Sequence, residues 1–320
     1  MTRAGTSVAR PALRGAAALL VLLSAGACRR GERAPAPAPR IAPAAFRGAS
    51  AWPEVEAFVS LGPRHAGTPG AAAAAAYLAE RLRAAGLEPL VDTFEDRVPG
   101  GTAVFRNVHA ELTGRERGTI ILASHYDTKA GVSDDFAGAN DSGSSTGLLL
   151  ALAAHLQARA PHRYDILFAF FDGEECRVRY GPHDGLHGSR RLAQTLVRNN
   201  RAAEVAAVIV IDMVGDRDLT LTLPRNGTPR LTTLAFDCAR RLGVRDRLSL
   251  ARGAILDDHV PFLRAGMPAV DLIDFEYGSQ PGRNDYWHTP EDTLDKMSPR
   301  SLETVGRLVL CMVDELMRAP

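Results

Sequence analysis

Cysteine is scarce in this chain: four residues in 320, at positions 28, 176, 238 and 311. That is too few and too scattered for a disulfide framework, and the spacing matches no zinc finger. Cys238 and Cys311 are expected as core residues on helices, and Cys176 as a bystander beside an acidic motif. Net charge is nearly absent as well, at +1, which gives no support for a nucleic-acid partner. No apolar run reaches the roughly 20 residues needed to span a bilayer, and no internal repeat is visible. What is present is ordinary globular composition, 46% hydrophobic and 23% charged, with length for one large domain or two ordinary ones.

The small net charge hides an asymmetry. Residues 1–40 carry seven Arg against one acid, Glu32, and the chain's +1 less that segment's +6 leaves −5 for the rest. Arg3, Arg10 and Arg14 precede the apolar run Ala16–Leu23, and the small residues Ser24 to Ala27 then lead to Cys28. This is the order of an export signal over residues 1–27. Small residues directly before a cysteine resemble a bacterial lipoprotein processing site, so Cys28 is the expected lipidation position. The protein is accordingly expected outside the cytoplasm, on the periplasmic side of a cell envelope, touching membrane only through that anchor. Residues 28–46, rich in Ala and Pro, read as an extended spacer. Residues 47–320 read as one catalytic domain.

Within that domain, helical stretches are expected at 52–61, 68–85, 143–157, 186–199, 229–242 and 299–317. Strands are expected at 88–93, 105–112, 119–123, 164–171, 205–213, 247–250 and 269–273. Continuous apolar strands alternating with amphipathic helices mean a mainly parallel sheet covered on both faces. The fold class is α/β, a three-layer sandwich around a central mixed sheet.

Ligands of such sheets bind at the carboxyl ends of the strands, and polar residues gather there. One strand runs into His125 and Asp127, the next into Glu174 and Glu175, the next ends on Asp212, and a long loop leads to Trp287 and His288. Asp141 lies in a turn just before a helix. Two imidazoles and three carboxylates (His125, Asp141, Glu175, Asp212, His288) suit zinc, whereas calcium or magnesium would take nearly all oxygen. Glu174 directly precedes Glu175, so one can hold metal while the other faces substrate as a proton carrier. Asp127 is placed to hold the other nitrogen of His125.

These segments, HYDT (125–128), GANDSGSS (138–145), FFDGEE (170–175), IDMVGD (211–216) and WHTPEDT (287–293), resemble in order the zinc aminopeptidase and glutaminyl cyclase superfamily. The resemblance covers roughly residues 50–318. It implies that His125 and Asp212 serve one metal position and Glu175 and His288 the other, with Asp141 shared and Glu174 as general acid/base.

Three further features resemble the cyclase branch. Asp257 opens the run Asp257-Asp258-His259-Val260-Pro261-Phe262-Leu263, similar to DDHxPFL of animal glutaminyl cyclases. There the matching Asp shares a proton network with the catalytic Glu. The segment Tyr180 to Arg190 follows the Glu pair much as WSPxDSLxGSR does, and Trp287 precedes the ligand His288 as a pocket-lining Trp does. Tyr180 and Trp287 are thus expected to face substrate, and Asp212 counts both as ligand and with Glu174 and Asp257 in the catalytic set. Departures are Tyr180 for a second pocket Trp, Leu256 for a polar residue, Ser124 for a cysteine, and a longer loop over 274–286. His259 is expected to be structural, and Glu291 and Asp292 to be helix-start or loop acids. The expected function is cyclisation of N-terminal Gln of peptides or proteins to pyroglutamate, with one or two zinc ions. The alternatives are a two-zinc aminopeptidase and a non-catalytic binding module on the same fold.

Overall fold

The computed structural model describes residues 41–318. The export signal, Cys28 and most of the Ala/Pro spacer lie outside the described residues. In chain order, these form α1 (Gly48–Val59), α2 (Pro69–Ala84), β1 (Pro89–Val98), β2 (Gly101–Leu112), β3 (Thr119–His125), α3 (Ser145–Gln157), β4 (Asp165–Phe171) and α4 (His187–Arg198). There follow β5 (Val205–Asp212), β6 (Leu221–Leu223), α5 (Pro229–Leu242), β7 (Leu248–Leu250), α6 (His259–Arg264), β8 (Ala269–Ile273) and α7 (Pro299–Arg318).

Local chemistry sets the helix ends. Proline opens α2, α5 and α7, where its missing N–H has no intrahelical partner to lose. The Thr68 hydroxyl caps α2 by accepting from Ala71 N. Gly243 closes α5 in the left-handed conformation.

Six strands form the main sheet, in the order β1-β2-β4-β3-β5-β8. β3, β4, β5 and β8 run parallel, while β2 joins both β1 and β4 antiparallel. The parallel strands are buried on both faces, and alternate side chains feed two cores. Ile120, Leu122 and Ile209 pack with α1, α2, α3, α5 and α7 on one side. Ile121, Ala123, Val208 and Val210 pack against Leu192 and Leu196 of α4 and Phe262 of α6 on the other. This is the expected three-layer α/β sandwich. Among the described residues no helix is long and apolar enough to cross a membrane.

Three local expectations are corrected. The first two strands are longer than read, joined into a hairpin through Pro99 and Gly100. β1 carries Asp92, Glu95, Asp96 and Arg97 along an edge of the sheet, so no apolar run marked its second half. Cys238 and Cys311 do lie on helices, but they form a disulfide with Cα atoms 5.8 Å apart. Packing of α5 beside α7 brings together residues 73 apart in sequence, a proximity that thiol spacing alone could not reveal. Finally, the stretch read as spacer to residue 46 is packed at its end: Ile41 and Phe46 are buried in the core.

Candidate metal centre and active site

Each strand of the parallel core delivers a polar residue at its carboxyl end. β3 ends on His125 and leads to Asp127, β4 leads to Glu174 and Glu175, and β5 ends on Asp212. Beyond β8 a loop returns with Trp287 and His288. Asp141 comes from the irregular turn Ala139–Ser144 that precedes α3. The turn starts at Gly138, whose φ is +51°, and a Cβ there would lie 2.0 Å from the carbonyl oxygen of Asp141. Glycine is required at that point.

The structure brings all five expected ligands together. His125 Nε2 lies 3.2 Å from Asp141 Oδ1 and 3.3 Å from Asp212 Oδ1. His288 Nε2 lies 2.8 Å from Glu175 Oε1 and 3.2 Å from Asp141 Oδ2. Asp141 thus offers one oxygen to each side. The set His125, Asp141 and Asp212 and the set Asp141, Glu175 and His288 each converge ligand atoms within 4.8 Å of one another. His288 has φ of +54°, a conformation costing a non-glycine residue on the order of 1 kcal/mol and found where function demands it.

Asp127 takes its expected supporting place and does more. Its Oδ1 accepts from Glu174 N at 3.0 Å and its Oδ2 from Glu175 N at 3.2 Å, with His125 Nδ1 3.4 Å away. One carboxylate therefore orients an imidazole and both glutamates.

The donor set fits a borderline metal ion. Imidazole nitrogens and carboxylate oxygens converge in a buried place, with too few oxygens for calcium. Proton affinities in the cluster point the same way. Burial alone would lower the pKa of His288, but hydrogen bonds to Asp141 and Glu175 raise it to about 9. His125 is likewise raised, its burial outweighed by the charge of Asp212 and by hydrogen bonds it donates to Asp127, Asp141 and Asp212. Burial lifts Asp212 to about 7 despite the nearby His125. A cluster that gathers protons in this way releases them to a cation.

Glu174 is 6% exposed, and burial raises its pKa well above the carboxylate range. His125 opposes this, while Glu175, Asp257 and Asp258 add to it. The Tyr180 hydroxyl donates to both its oxygens, at 3.0 and 3.2 Å. Glu174 opens onto a cavity of about 280 Å³, lined also by Tyr180, Leu256, Asp257, Phe275 and Trp287. Trp287 stacks on His288 with ring centroids 4.0 Å apart and leans on Phe275 at 5.1 Å. The candidate ligands Asp141, Glu175, Asp212 and His288, the carboxyl of Glu174 and an aromatic wall share one space.

Other expectations sort themselves. His259 is fully buried and belongs to neither ligand set, with Nε2 3.0 Å from Asn226 Nδ2 and Nδ1 3.7 Å from Asp271 Oδ2. Cys176 is a free, buried thiol 3.3 Å from Lys129 Nζ, which also lies 3.3 Å from Glu175 Oε2. Glu291 is a solvent-facing loop acid. Asp292 is not: it is buried, accepting from Asn140 N at 2.7 Å, Asp141 N at 3.1 Å and the Tyr277 hydroxyl at 2.9 Å. Sequence reading also passed over Arg64, Asp258 and Asp271, all fully buried charged residues. A hint for Asp271 was available, since it interrupts the apolar run of β8.

The sequence signature of peptidase family M28 matches residues 107–313. The chain is 34% identical to a glutaminyl cyclase of known structure from an Acidobacteriales bacterium, with a TM-score of 0.82 over 90% of this chain and 99% of that one. It is 30% identical over 285 residues to the glutaminyl-peptide cyclotransferase-like protein of Bos taurus, covering 79% of this chain and 72% of that protein. A Zn-dependent exopeptidase from Parabacteroides distasonis shares 25% identity and a TM-score of 0.74, over 85% of this chain and 98% of its own.

Proposed function

Because the chain belongs to peptidase family M28 and, within it, groups with glutaminyl cyclases, we propose that it converts the N-terminal glutamine of peptides and proteins to pyroglutamate with release of ammonia. The observation that carries this reading is the cavity in which Glu174, the Asp141/Glu175/His288 set and Trp287 meet. At about 280 Å³ it admits a glutamine residue, and Ile255, Phe275 and Trp287 give it an apolar wall against which the side chain can fold. Cyclisation needs this: a folded side chain, an amine in reach and no competing nucleophile.

We assign zinc to the site, held by Asp141, Glu175 and His288, with His125 and Asp212 available to a second ion. Zinc held there supplies a Lewis acid for the γ-amide carbonyl. The protein's own residues handle the protons. The substrate's α-amine nitrogen attacks the carbonyl carbon of the γ-amide, and Glu174 takes the proton that the amine gives up. The ring amide bond forms, the bond to the side-chain nitrogen breaks, and Glu174 returns the proton so that ammonia leaves. Burial makes Glu174 a stronger base once ionised, and the charge of Asp257 at the cavity wall reinforces this. Tyr180 holds the carboxylate in place, and Trp287 forms the wall against which the flat amide packs.

One observation favours a second reading. The His125/Asp141/Asp212 set is complete beside the first, as two-metal hydrolysis by an aminopeptidase requires. A Glu174→Gln variant tests the cyclase reading: ammonia release from a Gln-peptide should fall by about 10²–10⁴-fold with bound metal unchanged. Unchanged release would exclude Glu174 as the proton carrier, and a wild-type protein that forms no pyroglutamate would contradict the reading itself.

We also propose, from residues 1–28, that the chain is exported and carries a lipid on Cys28. Cys28→Ser protein is expected to leave the membrane fraction, and its retention there would contradict the anchor.

A further inference from the structure

The loop that carries Asp141 has little regular structure of its own, and two buried charges outside the ligand sets hold it. Arg64 is completely buried. Its Nε donates to the Tyr126 carbonyl at 3.0 Å, between His125 and Asp127. One terminal nitrogen donates to Ala137 O at 2.8 Å and Gly62 O at 2.9 Å, and the other reaches Gly138 O at 3.4 Å. The planar fork of a guanidinium suits this spread of carbonyls, which one ammonium could not span. Asp292 acts from the amide side. Its two oxygens accept from Asn140 N and Asp141 N, and the Tyr277 hydroxyl fixes its rotamer. A cation thus gathers the carbonyls entering the loop, and an anion gathers the amides leading into the ligand.

We propose that Arg64 and Asp292 are paired positioning residues that set the shape of the 138–141 loop, and thereby the metal affinity of a site whose ligand side chains neither of them touches. A buried ion costs free energy unless its hydrogen bonds are satisfied in place. Both are satisfied by this loop and its immediate neighbours, so the loop and the two charges fix one another. The inference rests on the reading of the five-residue cluster as a metal site, and it does not depend on which reaction the site performs.

The test measures zinc affinity on the whole chain, stripped with a chelator and titrated with zinc against a chromophoric competitor. Thermal melting of the metal-free protein is recorded alongside. Asp292→Asn and Arg64→Lys are each expected to weaken zinc binding about 10–100-fold, with the metal-free proteins melting lower but still cooperatively. The double variant should lose less than the product of the two, because both residues hold the same loop. Tyr277→Phe, which removes only the hydroxyl on Asp292, should weaken binding in the same direction by a smaller factor. It carries the test if Arg64→Lys does not fold. Wild-type affinity in Asp292→Asn and Tyr277→Phe would overturn the inference, as would full multiplicativity in the double variant. A wild-type protein without zinc affinity would instead overturn the metal reading beneath it.

Discussion

Glu174 is held from three directions: its amide by Asp127, its carboxylate by the Tyr180 hydroxyl, and its whole length by burial. The tyrosine is more than the pocket wall expected from sequence, because its polar end is committed to Glu174. Tyr180→Phe keeps the ring and removes the donor. A hydrogen bond to a charged group contributes about 1.5–3 kcal/mol, so kcat should fall about tenfold or more with KM within a factor of two. A raised KM at unchanged kcat would mean that Tyr180 only contacts substrate. Asp274, just beyond β8, gives a pH signature away from the ligands. Burial raises its carboxyl to about 8, against about 3.9 in an unfolded chain. Between those values the folded protein holds a proton that the unfolded chain does not, so stability falls as pH rises through that window. Asp274→Asn should flatten the fall between pH 5 and 8, read as melting temperature at each pH. An equal fall in both proteins would count against it. His125, Glu174, Glu175 and Asp212 were legible in the sequence because each stands where an apolar run stops, whereas Asp141 and His288, in a turn and beyond a long loop, stood out through the motifs around them. Arg64 and Asp292 were not, since their burial depends on carbonyls and amides that only the folded loop assembles.

At the scale of elements, the apolar strands β3, β4, β5 and β8 were readable because burial on both faces leaves continuous hydrophobic runs. The long β1–β2 hairpin was half hidden, as its edge strand mixes charges into the pattern. Pairing between helices left no local trace at all. The Cys238–Cys311 bridge ties α5 to α7, which packs along α1 and beneath the sheet. Closing a 73-residue separation stabilises by about 2–5 kcal/mol. Cys238→Ser with Cys311→Ser, or reduction of the native protein, should therefore lower the melting temperature measurably. Identical melting with and without reductant would show that the bridge contributes nothing. The site lies on loops leaving the carboxyl ends of the sheet, and neither cysteine lines its cavity, so the bridge should affect stability and leave kcat unchanged.

Across the whole molecule, the mild acidity of the part beyond residue 40 acquires a location: Asp127, Asp141, Glu174, Glu175, Asp212, Asp257 and Asp292 are all buried at one end of the sheet. Such a concentration of carboxylates is costly without a cation, and chelation should lower both turnover and melting temperature, with zinc restoring them. The fate of the substrate in that cavity separates a cyclase from a peptidase. The most direct measurement incubates one zinc-loaded preparation in parallel with a Gln-peptide and a Leu-peptide, following ammonia and free amino acids together. The cyclase assignment predicts one ammonia for each Gln-peptide N-terminus lost and no free leucine. Leucine release without ammonia from the Gln-peptide would contradict it and establish the peptidase instead.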